Sequence, residues 1–402
     1  MEHELVVAVV ILALLVYALA AEWIERSPLS GPMLFTALGV AVGPIGLDLF
    51  GSGDRGWIIA VATATLVIVL FRDAANIRLT MRGAGRATAG LAARLLLVGI
   101  PLTIAAGALA GWALLPQFTF IDLVILAIIL TPTDAALAQP VFTNADIPET
   151  QREAINAESG FNDGLCLPLL LIALELAVVS DADPAAGEQA QRFLTQILLG
   201  PLAGGVIGFA GGWMARRAFA LGIARPAGRT PVMVLLAGLA WVGAELAGGN
   251  GFLAAFVAGM AFALSLGDAT VREASGIALT EGTILTNLTF VIFGAWFVPS
   301  ALAVPLWPTL VYAALSLTAV RMLPVLAALA GTGVSIRGKL VIGWFGPRGV
   351  ASILYLLVVA TAEEYHPMAD IQNVAVWTIL ISVVLHGVTA PFAGRAYAGE
   401  AG

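Results

Sequence analysis

In the stretch "NAESGFNDGLCLPLLLIALELAVV", residues 156 to 179, Glu158, Ser159, Asn162 and Asp163 crowd the first two turns of an otherwise apolar helix. Helical spacing sorts them. Ser159 and Asp163 are four residues apart and share a face, while Glu158 and Asn162 share the neighbouring one. An ionised side chain at the bilayer centre costs at least about 2.5–3.5 kcal/mol on insertion scales, so such residues line polar paths or pair with an opposite charge. Arg321, set in the apolar run "SLTAVRMLPVLAAL", needs a partner as Glu158 does, and the two are expected to form a structural ion pair. Asp163 has no such obvious cation. A carboxylate of that kind, in a low-dielectric site, holds a proton or a metal cation rather than stay bare.

A second carboxylate stands in "LVILAIILTPTDAALAQPVFTN". Pro132 cannot donate to the carbonyl four residues back and pushes Thr131 out of the helical region. The break frees carbonyls beside Thr131 and Thr133 and places Asp134 next to them. Oxygen from Asp163, Asp134, Ser159 and Thr133 is hard ligand chemistry, suited to Na⁺, Li⁺ or K⁺ with water. Soft ligands are missing: Cys166, the single cysteine, lies one turn deeper, and His3, His366 and His386 are scattered and read as surface or helix-end residues. Competition between H⁺ and a cation for Asp163 is the simplest way to exchange one for the other. It needs no covalent chemistry, no enzyme activity and no resident cofactor.

The elements that must hold these residues are membrane spans. The chain has 402 residues, 60% hydrophobic and 11% charged, with mean hydropathy +0.96, which is outside the soluble range. The net charge of −7 decides little, and no basic patch with interleaved aromatics suggests nucleic acid. With one cysteine, no intrachain disulfide is possible. The N-terminus lacks a basic region and an A-x-A site, so it reads as a retained helix rather than a cleaved signal. Breaks at Pro, Gly and charge clusters give about thirteen spans: residues 5–22, 30–49, 57–72, 87–115, 121–144, 152–180, 193–215, 231–248, 251–266, 280–299, 305–330, 338–361 and 371–394. Span 251–266 is short and the most open to challenge. With the N-terminus outside, the outer side receives only Arg55 and Arg192 of the 19 Lys and Arg, while Arg94, Arg321 and Arg348 fall inside spans. The positive-inside rule therefore predicts an inner-membrane protein with a cytoplasmic C-terminus. The acidic outer loop from Ser180 is expected to be solvated, and only "RAYAGEAG" follows the last span.

Span twelve, "KLVIGWFGPRGVASILYLLVV", also breaks, because Gly343, Gly346, Pro347 and Gly349 weaken it around Arg348. With span seven as a linker, the fifth span of each six-helix half is the broken one. Interrupted helices at matching positions of two halves mark a transporter site near the midplane. The expected fold is thus all-α and polytopic, two inverted six-helix repeats with crossed broken helices. Arg348 either neutralises helix C-terminal ends at its own break or repels cations from it.

"TPTDAALAQPV", "ESGFNDG", "LFRDAANIRL" and the late "GWFGPRG" together resemble the monovalent cation:proton antiporter family, in its NhaP-type sodium/proton exchanger branch, over nearly the whole chain. The Asn162–Asp163 pair looks like the electroneutral branch. The resemblance implies a Thr133–Asp134 unit beside the Asn162–Asp163 unit, with Asp163 binding H⁺ or cation and Ser159 and the Thr133 carbonyl as further ligands. It implies Glu158–Arg321 as a structural pair supported by Asn162. It also implies a homodimer in the bilayer: residues 84–180 and 301–402 form a moving core, and 1–83 with 181–300 the scaffold. Relatives often carry an acidic residue facing the site from span three; here Asp73 either serves so or pairs with Arg72 at the surface, the reading we favour.

Three rivals remain. K⁺/H⁺ exchange differs only in cavity size. An intramembrane aspartyl protease would carry glycine two residues before the aspartate, where Phe161 stands, and has fewer spans. A cation channel would line one pore with a ring of like groups, whereas the polar residues here gather at one place.

Overall fold

The computed structural model describes residues 2–25, 27, 29–49, 55–83, 85–134, 137–142, 144–179, 186–224, 229–266, 283–302, 307–362 and 369–392. Among the described residues no strand occurs. Eight helices among the described residues are long and apolar enough to cross a membrane. Shorter apolar helices, Gly31–Val42, Phe120–Ile129, Pro231–Leu246, Gly251–Leu266 and Val350–Ala360, fill the remaining expected spans. The chain is an all-α, multi-pass membrane protein. The short span 251–266 is a helix with the same bounds. Residues 280–282, the Ser180 loop as far as 185, Arg26, Arg225, Arg272 and the "RAYAGEAG" tail lie outside the described residues.

The helices fall into two compact units. The smaller comprises Thr63–Arg86 and Gly160–Thr283. It holds the later parts of α3 (Arg55–Gly83) and α8 (Glu149–Val179), then α9 (Ala186–Ala220), α10 (Arg229–Leu246) and α11 (Gly251–Leu266). Lipid tails are as apolar as leucine, so helices here associate through close packing rather than hydrophobic exclusion. The sequence supplies the means: Gly200, Gly204, Gly208 and Gly212 recur every fourth residue and form one stripe on α9. A Cβ added at Gly204 would run into the carbonyl oxygen of Ala254, and one at Gly208 into that of Ala258. At Gly212 it would meet the Ser265 hydroxyl. Asn250 pins one end of this contact, its N–H donating to Gln196 O at 3.0 Å while its Oδ1 caps α11 by accepting from Leu253 N–H, also at 3.0 Å. Phe71 and Phe262 fill the middle of the unit with ring centroids 5.5 Å apart.

The larger unit comprises Met1–Ala62, Ala87–Ser159 and Ile284–Gly402. In it lie α1 (Glu2–Glu25), α2 (Gly31–Val42), α4 (Arg86–Arg94), α5 (Ile100–Leu114), α6 (Phe120–Ile129), α7 (Gln139–Phe142) and the start of α8. After them come α12 (Thr283–Leu302), α13 (Trp307–Leu317), α14 (Ala319–Ala328), α15 (Ile336–Trp344), α16 (Val350–Thr361) and α17 (Ala369–Thr389). Two π turns, Leu95–Gly99 and Phe293–Phe297, each stand two residues before a proline, Pro101 or Pro299. Proline cannot close the α-helical ring, and the wider turn absorbs the mismatch. Arg94 stands exposed and donates to Ala330 O at 2.8 Å, where α14 ends. Leu95, Ile155, Val325, Leu329 and Ile342 belong to one buried apolar cluster of this unit.

Because the α9 stripe has no room for a side chain, Gly208→Val is expected to destabilise the protein by about 1–3 kcal/mol through overpacking. Gly205→Ala, whose added Cβ meets only Val257 at 3.8 Å, is expected to be neutral or slightly stabilising. Thermal unfolding in detergent measures both.

Candidate ion site at two crossed helix breaks

A capping box starts α6: Asp122 N–H donates to Thr119 Oγ1 at 3.3 Å and Thr119 N–H to Asp122 Oδ2 at 3.1 Å. The helix then ends at Ile129, where Pro132 denies it a donor. The orphaned carbonyls find partners one by one. Thr131 Oγ1 donates to Ala127 O at 2.7 Å and Ser352 Oγ to Ile129 O at 2.7 Å. Arg348 Nη1 donates to Thr131 O at 3.0 Å and Pro132 O at 3.4 Å. In the second broken helix, Ser335 caps α15 by accepting from Gly338 N–H at 3.1 Å. The chain leaves the helix at Phe345 and re-enters it at Val350.

The two breaks satisfy each other. Asp134 N–H donates to Pro347 O at 2.8 Å, and Asp134 Oδ2 accepts Val350 N–H at 3.1 Å. That places a carboxylate at the N-terminus of α16, where the helix dipole favours negative charge. Arg348 sits at the opposite end of the logic, a cation on the C-terminal carbonyls of α6. Of the two roles open to it in sequence, neutralising helix ends is the one its contacts describe, and the end is chiefly that of the other broken helix. Its third acceptor, Gly346 O at 3.2 Å, belongs to its own break. Asp134 is 7% exposed and Arg348 0%.

Helix α8 brings Glu158 and Ser159 to this crossing. Ser159 Oγ and Thr133 Oγ1 are 2.9 Å apart and buried. On the neighbouring face, Arg321 Nη2 donates to Glu158 Oε2 at 2.8 Å and Nη1 lies 2.6 Å from Oε1. The pair is two-pronged and sealed from solvent. One turn further along α8, Asn162 is buried and Asp163 partly so. The next residue, Gly164, packs so closely that an added Cβ would enter the Phe256 ring. Cys166 is buried. Arg72 and Asp73 pair at 2.9 Å with about a fifth of each side chain exposed. Among the described residues no group of three or more His, Cys, Asp or Glu stands together. The oxygens gathered at the crossing are hydroxyls, carbonyls and single carboxylates, hard donors rather than soft ones.

His386 is at a helix end, as expected, in the last turn of α17, and it is buried there with Ser382 and Trp344 as partners. The side chain of His3, and His366 altogether, lie outside the described residues. Ser352 and Ser382 were not singled out from sequence either. Each is one serine in an apolar helix, and only the fold shows which carbonyl or amide it faces.

The chain matches the family described as sodium/hydrogen exchanger, transmembrane, over residues 9–395. It is 27% identical over 320 residues to the Na⁺/H⁺ antiporter 2 of Zygosaccharomyces rouxii, covering 70% of this chain and 39% of the yeast protein. It is 26% identical over 375 residues to the K⁺/H⁺ antiporter NhaP of Alkalimonas amylolytica, covering 88% of this chain and 60% of that one. The chain thus spans well under two thirds of the yeast relative. The structure of the sodium proton antiporter MjNhaP1 from Methanocaldococcus jannaschii superposes with a TM-score of 0.76 at 21% identity, covering 99% of both chains. The fold is therefore shared with that antiporter.

Removing one member of a buried pair strands the other's charge. Arg321→Met alone is expected to destabilise by about 3–5 kcal/mol, and the double variant Glu158→Gln, Arg321→Met to recover most of the loss. Unfolding midpoints of the four proteins in detergent provide the cycle.

Proposed function

Because the chain belongs to the sodium/hydrogen exchanger family, we propose that it exchanges Na⁺ or Li⁺ for H⁺ across a cell membrane, with Asp163 carrying the two in turn. The observation that supports this most is the crossing of two broken helices whose ends are neutralised internally by Asp134 and Arg348. Such a crossing makes irregular backbone tolerable at membrane depth, which is what a midplane ion site requires.

In the proposed cycle Asp163 releases H⁺ to one side and takes Na⁺ there. Ser159, one turn back on the same helix, and Thr133, hydrogen-bonded to Ser159, offer oxygen in place of lost water. Asp134 is the further carboxylate of the set; its charge is oriented at the α16 N-terminus. Glu158 takes no part as a ligand, being committed to Arg321; Asn162 supports that arrangement from the same helix. One carboxylate neutralised by one H⁺ or one Na⁺ exchanges them one for one, so transport is electroneutral. Alternating access then lets the proton gradient drive Na⁺ out. We place the N-terminus outside and the C-terminus in the cytoplasm, and the chain in a homodimer.

Exchange of K⁺ is the second reading, favoured by the similarity to the Alkalimonas K⁺/H⁺ antiporter, which covers 88% of this chain. The machine would be the same and only the cavity would differ.

In proteoliposomes holding a pH-sensitive dye and an acid-inside gradient, Na⁺ or Li⁺ is expected to dequench the wild type and leave Asp163→Asn silent. A K⁺-only response would change the substrate. An Asp163→Asn signal equal to wild type would remove Asp163 from the mechanism.

A further inference from the structure

His386 is 1% exposed, and nothing in the exchange cycle above uses it. Its Nε2 lies 3.0 Å from the carbonyl oxygen of Trp344, the last residue of α15. A carbonyl only accepts, so Nε2 carries the proton; the tautomer is assigned from this partner. In the neutral ring Nδ1 is then an acceptor. Ser382 Oγ stands 3.0 Å from it and donates its hydroxyl proton there. The carbonyl of Ser382 also stands 3.1 Å from Nδ1; with the ring's single proton assigned to Nε2, it is the Ser382 hydroxyl and not this carbonyl that bonds Nδ1. The same Ser382 Oγ accepts the backbone N–H of Arg348 at 2.7 Å. A continuous chain of donors and acceptors thus leaves α15 at Trp344 O, crosses α17 through His386 and Ser382, and returns to the break at Arg348 N–H. The Trp344 and His386 rings also lie against each other, centroids 5.3 Å apart, and Trp344 Nε1 donates to Thr389 Oγ1 on α17 at 3.2 Å.

Both edges of the α15–α16 break are therefore held by one turn of α17. What depends on that hold is Arg348, whose guanidinium serves the carbonyls of Thr131, Pro132 and Gly346. We propose that His386 is a positioning residue for ion exchange: through Ser382 it splints the second break and so sets where Arg348 meets the first. It touches neither cation nor exchanged proton. This rests on the exchange reading above.

The test sorts variants by the contact each retains. Glutamine places an amide N–H about as far out as Nε2, asparagine reaches only as far as Nδ1, and leucine keeps bulk without a donor. In reconstituted Na⁺-driven exchange, His386→Leu and His386→Asn are expected to lose about tenfold in maximal rate, the worth of one buried hydrogen bond. Their half-saturating Na⁺ is expected to move less than about twofold, because the proposed ligands are untouched. His386→Gln is expected to stay within about threefold of wild type. A purely space-filling role would rank leucine with or above glutamine, and that ranking overturns the proposal, as does wild-type rate in His386→Leu. Ser382→Ala adds a check that survives a poorly folding leucine variant. If the two residues act as one splint, Ser382→Ala, His386→Asn loses no more rate than the worse of the two single variants; losses that multiply sink the idea. Absence of exchange in the wild type with every cation would remove the exchange reading instead. The splint itself would then be read from the same cycle on thermal unfolding, where coupling supports it and additivity overturns it.

Discussion

A helix interrupted inside hydrocarbon must find partners for the amides and carbonyls that its own turns no longer satisfy, and water is not available to supply them. The larger unit is organised around that demand. It has two interruptions, and it places them so that the charge needed at one lies on the other. Arg348 lies beside the carbonyls of Thr131 and Pro132 just past α6, and Asp134 at the amide end of α16. Both ionised groups sit where the helix dipole stabilises them, which offsets part of the cost of burial. The chain has to come very close for this. A Cβ at Gly349 would overlap the Asp134 carboxylate, and one at Gly346 would lie 2.6 Å from Arg321 Nε and 3.0 Å from Thr133 Cγ2. The glycines that flank Pro347 therefore act through the space they leave as well as through a weakened helix.

Helix α8 divides its acidic residues by face. Glu158 is taken up by Arg321 and ties α8 to α14, while Ser159 on the adjoining face reaches Thr133 at the first break. The ion pair supplies register more than net stability, since burying two charges costs about what their attraction returns. The face that carries Ser159 also carries Asp163, and this is why the exchange role is proposed for Asp163 and not for Glu158. The smaller unit solves a different problem by different means. Its glycine stripe on α9 lets α11 approach until backbone touches backbone, so that helix contact in lipid is made by van der Waals packing.

The spans and both breaks were legible in the sequence because each follows from a local rule, and the pairing of Glu158 with Arg321 because two lone opposite charges in apolar helices need each other. Apolar length sets the spans, proline and glycine chemistry sets the breaks, and the 3.6-residue period puts Ser159 and Asp163 on one face and Glu158 on another. The stripe Gly200, Gly204, Gly208 and Gly212 was equally open to that reading, being a fixed spacing of small residues, although which helix it meets was not. What the tertiary structure alone decided are the contacts between groups hundreds of residues apart. Arg348 and Thr131 are 217 positions apart, and Val350 and Asp134 are 216 apart. No periodicity links such pairs. His386 illustrates the limit: a lone histidine near a helix end is at the surface by default, and only the folding of α17 against the α15–α16 break turns it into a buried link between Trp344 and Ser382. The sequence determined where hydrogen bonds would be missing, because that is a property of the chain's own turns. Which distant groups make good the loss is a property of how the helices cross, and so was settled only in the fold.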